Sequence, residues 1–155
     1  MSIIGIDDFA PAFDLPTNNG STLQLSDLKE KVVVLYFYPK DMTPGCTTES
    51  QDFRDRIKDF EKAGAVIVGA SKDSVARHNK FVAKHDLPFL LVSDEEGTLC
   101  EDYGVWKLKK LYGREFMGIE RSTFIIDDSG VIRHMWRKVK VKGHVEEVLS
   151  AVQAL

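Results

Sequence analysis

The stretch "VVVLYFYPKDMTPGCTTESQDFRD", residues 32 to 55, changes its period halfway along. Up to Tyr38 it is an unbroken run of β-branched and aromatic residues, as expected of a central strand covered on both faces. Pro39 stops that run. From Thr43 the pattern becomes helical, with Cys46, Ser50, Phe53, Ile57 and Phe60 on one stripe. Asp52, Arg54, Asp55, Lys58 and Asp59 lie on the other sides, and Gly64 ends the helix.

The alternation continues outward from there. "AVIVGAS" (65 to 71) is a second buried strand, followed by a helix capped by Asp73 or Ser74 and carrying Val75, Phe81 and Val82. "PFLLVSD" (88 to 94) is a third strand, and Ser93 with Glu96 has capping-box spacing for a short helix through Tyr103. "STFIIDDSGVIRHMWR" (122 to 137) reads as a hairpin around Asp127-Asp128-Ser129-Gly130, and "HVEEVLSAVQAL" closes the chain as a helix with Val145, Val148, Leu149 and Val152 inward. Upstream, "PAFDLPTNNGSTLQL" predicts a hairpin turning at Asn19-Gly20, and "LSDLKEK" a helical turn opened by Ser26. The segment "KLKKLYGREFMGIE" (107 to 120) has no clear period and is expected to be an ordered surface loop. Lys138, Lys140 and Lys142 alternate on what reads as a guarded sheet edge. The order β-α-β-α-β-α, then β-β-α, predicts an α/β protein with a mixed central sheet flanked by helices.

Composition bounds the function. The 155 residues, 43% of them hydrophobic, fit a single domain over 1–155. A net charge of −3 and no basic run with interleaved aromatics speak against nucleic acid. The longest apolar run, Val32 to Tyr38, is too short to cross a bilayer, so no membrane role is expected. The N-terminal stretch "MSIIGIDDFAPAF" shows no signal-peptide pattern, and two cysteines are too few for a disulfide scaffold. A cytoplasmic protein with reduced thiols is therefore expected. His78, His85, His134 and His144 have no ligand spacing among themselves or with a cysteine, so no metal site is expected.

The informative thiol is Cys46. Thr43 can act as N-cap and Pro44 as the first helical residue, which puts Cys46 in the first turn. A thiolate there faces unpaired backbone N–H groups and the positive end of the helix dipole. Gly45 lets a small molecule approach the backbone. Lowering a thiol pKa from roughly 8.5 to about 6 takes about 3.4 kcal/mol, whereas the dipole supplies at most ~2. A further cation is needed, and Arg121 and Arg54 are both candidates by pattern.

At these residues the sequence resembles a peroxiredoxin of the bacterioferritin-comigratory (PrxQ-type) branch. The pattern Pro-x-x-x-Thr-x-x-Cys is present as Pro39, Thr43 and Cys46, and the likeness continues through "SDEEGTLCEDYGVW" and "YGREFMGIERSTFIIDDSG" to the last helix. The resemblance implies a thioredoxin-like fold with an N-terminal extension and a helical insertion. It implies a thiol peroxidase that reduces hydrogen peroxide and organic hydroperoxides without cofactor or metal. In it Cys46 is the peroxidatic cysteine, Thr43 sets its hydroxyl beside the substrate oxygens, Pro39 shields the thiolate, and Arg121 stabilises thiolate and leaving oxygen. Glu49 falls where relatives carry a polar residue near the site. The resolving cysteine that many relatives carry five residues on is replaced by Gln51. A one-cysteine cycle is therefore expected, with an external thiol reductant of thioredoxin, glutaredoxin or small-thiol type, acting on a monomer. Cys100 is not expected to resolve. The alternatives are a non-catalytic redox sensor, or a general thiol–disulfide oxidoreductase, against which the missing Cys-x-x-Cys counts.

Overall fold

A computed structural model describes residues 4–155; the first three residues of the N-terminal stretch lie outside it. Its central sheet has five strands in the order β5-β4-β3-β8-β9. Strands β3 (Val32–Phe37), β4 (Ala65–Ser71) and β5 (Leu90–Ser93) run parallel. β8 (Ser122–Ile126) pairs antiparallel with β3, and β9 (Ile132–Trp136) antiparallel with β8. Helices α1 (Pro44–Asp55), α2 (Ile57–Lys62), α3 (Val75–His85), α4 (Leu99–Asp102) and α5 (His144–Gln153) fill the connections and the C-terminus.

The pleat of β3 explains why its sequence does not alternate. Val33, Leu35 and Phe37 point into one apolar layer with Leu99, Cys100, Tyr103 and Phe124. Val34 and Tyr36, with Tyr38 just past the strand's end, point into the other, with Cys46, Phe53, Phe60, Phe81 and Val148. Both faces are covered, so both sets must be apolar. Gly69 on β4 makes this packing possible, because a Cβ there would lie 2.6 Å from Leu91 Cδ2 and 2.9 Å from Tyr36 Cζ. The Tyr36 ring crosses that gap, and its hydroxyl meets the Ser50 hydroxyl at 2.8 Å, which ties the central strand to α1.

Several local expectations are corrected. The helix expected to run to Gly64 breaks at Arg56 (φ −113°, ψ 14°), whose guanidinium reaches Glu146 on α5 at 2.6 Å. The hairpin of β1 (Asp14–Pro16) and β2 (Thr22–Gln24) turns through residues 17–21, not a two-residue turn. Asn18 then pairs with Leu91 and covers the free edge of β5. The 3-10 turn Leu25–Leu28 is opened by Gln24, whose N–H donates to Asp27, and not by Ser26. Asp94, not a Ser93–Glu96 box, starts α4, accepting from the N–H groups of Leu99 and Cys100. Ser74 is the cap of α3.

The largest departure is residues 107–120, expected to be a loop. They form a hairpin, β6 (Trp106–Leu111) against β7 (Arg114–Ile119), outside the main sheet. Tyr112 and Gly113 both take positive φ (51° and 76°), the geometry that matches strand twist in a two-residue turn. Because neither face of the hairpin is fully buried, Leu108, Leu111, Phe116 and Met117 stay exposed and the sequence shows no buried stripe. The expected lysine edge is not a strand either. β9 ends at Trp136, and Lys138 has φ 52°.

Candidate active site

The site forms where β3 ends and α1 begins. Pro44, Gly45 and Cys46 are the first three residues of α1, and Thr43 holds the N-cap position with extended φ/ψ. The Thr43 hydroxyl does not cap the helix as expected. It donates to the Lys40 carbonyl at 2.8 Å, which leaves the first-turn N–H groups free of side-chain competition. Cys46 is only 1% exposed, on the inward stripe with Phe53. Pro39 is exposed on the loop that precedes the helix.

Arg121 reaches this thiol from the chain segment between β7 and β8. Its Nη2 donates to Cys46 Sγ at 3.2 Å and its Nη1 to Glu49 Oε1 at 2.6 Å. Its backbone carbonyl accepts from Val139 N–H, so main chain as well as side chain is fixed. Gly45 packs beneath the guanidinium, with space for a Cβ only 3.3 Å from Nη2. Arg54, the other cation that pattern allowed, is turned away and engages Asp55 and the His85 carbonyl. The geometry separates two residues that spacing alone could not.

Glu49 is fully buried, one helical turn beyond Cys46. Burial pushes its carboxyl up to about 7, against the opposing pull of Arg121. Among the described residues, its Oε2 has no hydrogen-bond partner. A second positive charge adjoins the site from the hairpin, where burial and the neighbouring Arg121 push the Lys109 ammonium down. Sequence reading missed Lys109 because it lies in the segment taken for a loop.

This constellation can hold a thiolate beside a cation, with a carboxyl that gains or loses a proton near neutrality. The comparisons with known proteins agree with such chemistry. The AhpC/TSA family model matches residues 6–135. The chain belongs to that family. Peroxiredoxin Bcp of Bacillus subtilis is 56% identical over 150 residues, covering 97% of this chain and 96% of that protein. A structure of the Xanthomonas campestris bacterioferritin comigratory protein, described for its alkyl peroxide reduction activity, superposes with a TM-score of 0.88. It is 46% identical and covers 92% of this chain and 90% of the other. A cysteine-to-serine mutant of Xylella fastidiosa PrxQ gives a TM-score of 0.93 at 41% identity, covering 99% and 98%. The chain is thus a peroxiredoxin of the bacterioferritin-comigratory branch, a thiol peroxidase with a thioredoxin-like fold.

In this peroxiredoxin the second thiol is remote from the first. Cys100 is fully buried in the layer beneath the opposite face of the central sheet, and burial with Asp94 close by pushes its thiol well up. Gln51 is half-buried, its amide 3.3 Å from His85 Nδ1. His78, for which spacing gave no partner, is brought together with Asp41 and Asp73, their ligand atoms within 4.8 Å of one another. Every one of those atoms is already engaged by protein, by Tyr38, Ser71, Arg77, Val92 or each other, so the cluster is complete without a cation.

Proposed function

We propose that Cys46 is the peroxidatic cysteine, that Arg121 and Glu49 form its charge partners, and that the cycle uses one cysteine with an external thiol. The 3.2 Å contact between Arg121 Nη2 and Cys46 Sγ carries this reading. The Cys46 thiolate attacks the nearer peroxide oxygen, the O–O bond breaks, and the departing oxygen leaves as hydroxide or alkoxide and takes a proton. Cys46 becomes a sulfenic acid. A reductant thiol then displaces water from it to form a mixed disulfide, and a second thiol releases Cys46. No metal or organic cofactor enters these steps.

Alignment and charge supply the rate. The guanidinium spans thiolate and departing oxygen, and the first turn of α1 adds backbone donors. Thr43 and Pro39 frame the approach to the thiol. Alkyl hydroperoxides, the substrates named for the Xanthomonas relative, are proposed substrates alongside hydrogen peroxide. The working unit is one chain, because Cys46, Glu49 and Arg121 all belong to it, and the thiol pool is the cytoplasmic one, where two free cysteines stay reduced. Stopped-flow oxidation of wild type and Cys46→Ser by hydrogen peroxide and by an organic hydroperoxide tests the assignment. Turnover is then followed with thioredoxin-, glutaredoxin- or small-thiol-type reductants. Retained turnover in Cys46→Ser would sink it.

A further inference from the structure

The β6–β7 hairpin is the part of the fold that the site leaves unexplained. It stands outside the main sheet, rooted where Trp106 pairs with Ile119 and where Glu120 N–H donates to the Val105 carbonyl at 2.8 Å. Val105 and Ile119 are buried, so its base is fixed while its tip projects. Nine large hydrophobic side chains are left exposed among the described residues, and five of them belong to this one hairpin: Leu108, Leu111, Tyr112, Phe116 and Met117. Tyr112, at the turn, is 95% exposed. A monomer seldom gathers so much apolar surface in one place without a use for it.

The register shows how those side chains are arranged. Residues directly opposite across an antiparallel pair share a face, and faces alternate along each strand. Leu111 with Arg114 and Lys109 with Phe116 therefore lie on one face, and Leu108 with Met117 on the other. Apolar groups thus emerge from both faces and from the turn between them. A protein partner would cover one face and leave the other wet. A lipid boundary receives all three at once.

Charge points the same way. Residues 107–121 and 137–142 hold nine Lys and Arg against two Glu, in a chain whose net charge is −3. The two segments meet at the root of the hairpin, where Val139 N–H donates to the Arg121 carbonyl at 3.0 Å. Lys138, Lys140 and Lys142 are exposed there, and they guard no sheet edge, since β9 ends at Trp136. Pairing this region with a second copy would set cation against cation, whereas an anionic surface complements it. Lying on such a surface needs no membrane-crossing segment, and no helix among the described residues is long and apolar enough to be one.

We propose that the β6–β7 hairpin and the adjoining lysines dock the protein on an anionic lipid surface. Leu108, Leu111, Tyr112 and Phe116 enter the boundary between headgroups and acyl chains, and Lys138, Lys140 and Lys142 face the lipid phosphates. β7 leads within two residues to Arg121, the partner of Cys46, so a docked chain holds its thiol end near the lipid. That last consequence rests on Cys46 as the reacting thiol; the docking does not.

The test is co-sedimentation of the full-length protein with vesicles of phosphatidylcholine alone and of phosphatidylcholine mixed with phosphatidylglycerol. Binding is expected on the mixed vesicles, weakening as salt rises, with little on phosphatidylcholine alone. Lys138→Gln, Lys140→Gln and Lys142→Gln together should lower the partition coefficient about 10²-fold, since each basic residue near an anionic leaflet contributes about a factor of five. Leu111→Ser with Tyr112→Asn, asparagine being at ease at the positive φ of that turn, should lower it about tenfold. Both variants should keep the wild-type rate with hydrogen peroxide in solution, which shows them folded. Wild type that ignores the mixed vesicles, or a tip variant that binds them as tightly as wild type, would overturn the proposal. A concentration-dependent dimer abolished by the tip substitutions would give the face to a second copy. A reductant KM raised by them, with vesicle binding unchanged, would give it to a protein thiol, and either result overturns docking on lipid. Cys46→Ser should bind vesicles as wild type does, so a failed Cys46 assignment would appear as peroxide rates independent of Cys46 with vesicle binding intact.

Discussion

Arg121 grips Glu49 through one carboxylate oxygen, at 2.6 Å, and the other has no partner among the described residues. A buried carboxylate with an empty acceptor site is costly to keep charged, and burial accordingly drives its proton affinity up despite the adjacent guanidinium. The pair therefore does two jobs that pull against each other. It orients Arg121 for Cys46, and it stores a charge the interior solvates poorly.

That conflict gives a signed pH dependence. The Glu49 carboxyl titrates at about 7 in the folded chain, against 4.5 for an ordinary glutamate. Between those values the folded protein binds more protons than the unfolded one, so the stability linked to the neutral carboxyl is lost as pH rises through about 7. Glu49→Gln cannot titrate. The stability of Glu49→Gln relative to wild type is expected to increase with pH, with a slope of at most ~1.4 kcal/mol per unit, and to level off above neutrality. Peroxide reduction in the same variant should slow, because Arg121 loses its charged anchor. Urea titrations at a series of pH values check the first part, and a difference that does not vary with pH would refute it.

Arg121→Met should slow peroxide reduction by about 10²- to 10³-fold, the usual effect of removing one preorganised donor from a developing charge. It also strands Glu49 as a buried carboxyl with no cation, so stability should fall more at alkaline than at acidic pH. Arg54→Met provides the contrast. Its guanidinium serves Asp55 and the His85 carbonyl, so peroxide kinetics should stay close to wild type. Equal losses in the two variants, with near-ultraviolet circular dichroism unchanged, would detach Arg121 from the chemistry.

Gly45→Ala separates activity from stability. Alanine is the better helix former by up to ~1 kcal/mol, so the thermal midpoint should hold or rise. Its Cβ would press on Arg121 Nη2 from 3.3 Å and displace the guanidinium from the thiol. Peroxide reduction should fall several-fold, about 1 kcal/mol or less of activation free energy. A variant both as stable and as fast as wild type would mean that Arg121 tolerates the shift.

What the sequence could reveal follows from how local each signal is. The β3 run and the α1 stripe are written in consecutive residues, so strand, turn and helix around Cys46 were legible, as was a mixed sheet with parallel crossovers first and an antiparallel hairpin after them. The Thr-Pro-Gly entry placed Cys46 in the first turn of α1, where it lies. Three things were not legible. The break at Arg56 has no glycine or proline to announce it. The β6–β7 hairpin is half-exposed on both faces, so neither strand period survives in its sequence. The meeting of Asp41 with His78, 37 residues apart, depends on the crossover from β4 to α3 and leaves no mark in either neighbourhood. Arg121 stands between these cases, since pattern proposed it and only the family resemblance, and then the fold, preferred it to Arg54.

The last prediction concerns the second thiol. Cys46 packs with Tyr36, Tyr38 and Phe53 on one face of the central sheet, and Cys100 with Phe37, Tyr103 and Phe124 on the other. A disulfide requires Cα atoms within roughly 4.4 to 6.8 Å, whereas the sheet keeps these residues in separate layers. Opening the first turn of α1 does not help, because Cys100 is fixed on its own side by Asp94, which accepts from its N–H at 2.9 Å. Nor is Cys100 a ready nucleophile, since burial and the Asp94 charge both favour its neutral thiol. Cys100→Ala should therefore cost about 1 kcal/mol of stability, from a small cavity, and leave turnover with an external thiol near the wild-type rate. After one equivalent of peroxide, intact-mass spectrometry should show a gain of one oxygen on the wild-type chain, as the Cys46 sulfenic acid, and excess peroxide should take it on to the sulfinic acid. Loss of two hydrogens from the monomer, or loss of turnover in a folded Cys100→Ala variant, would mean that the two thiols meet across the sheet after all.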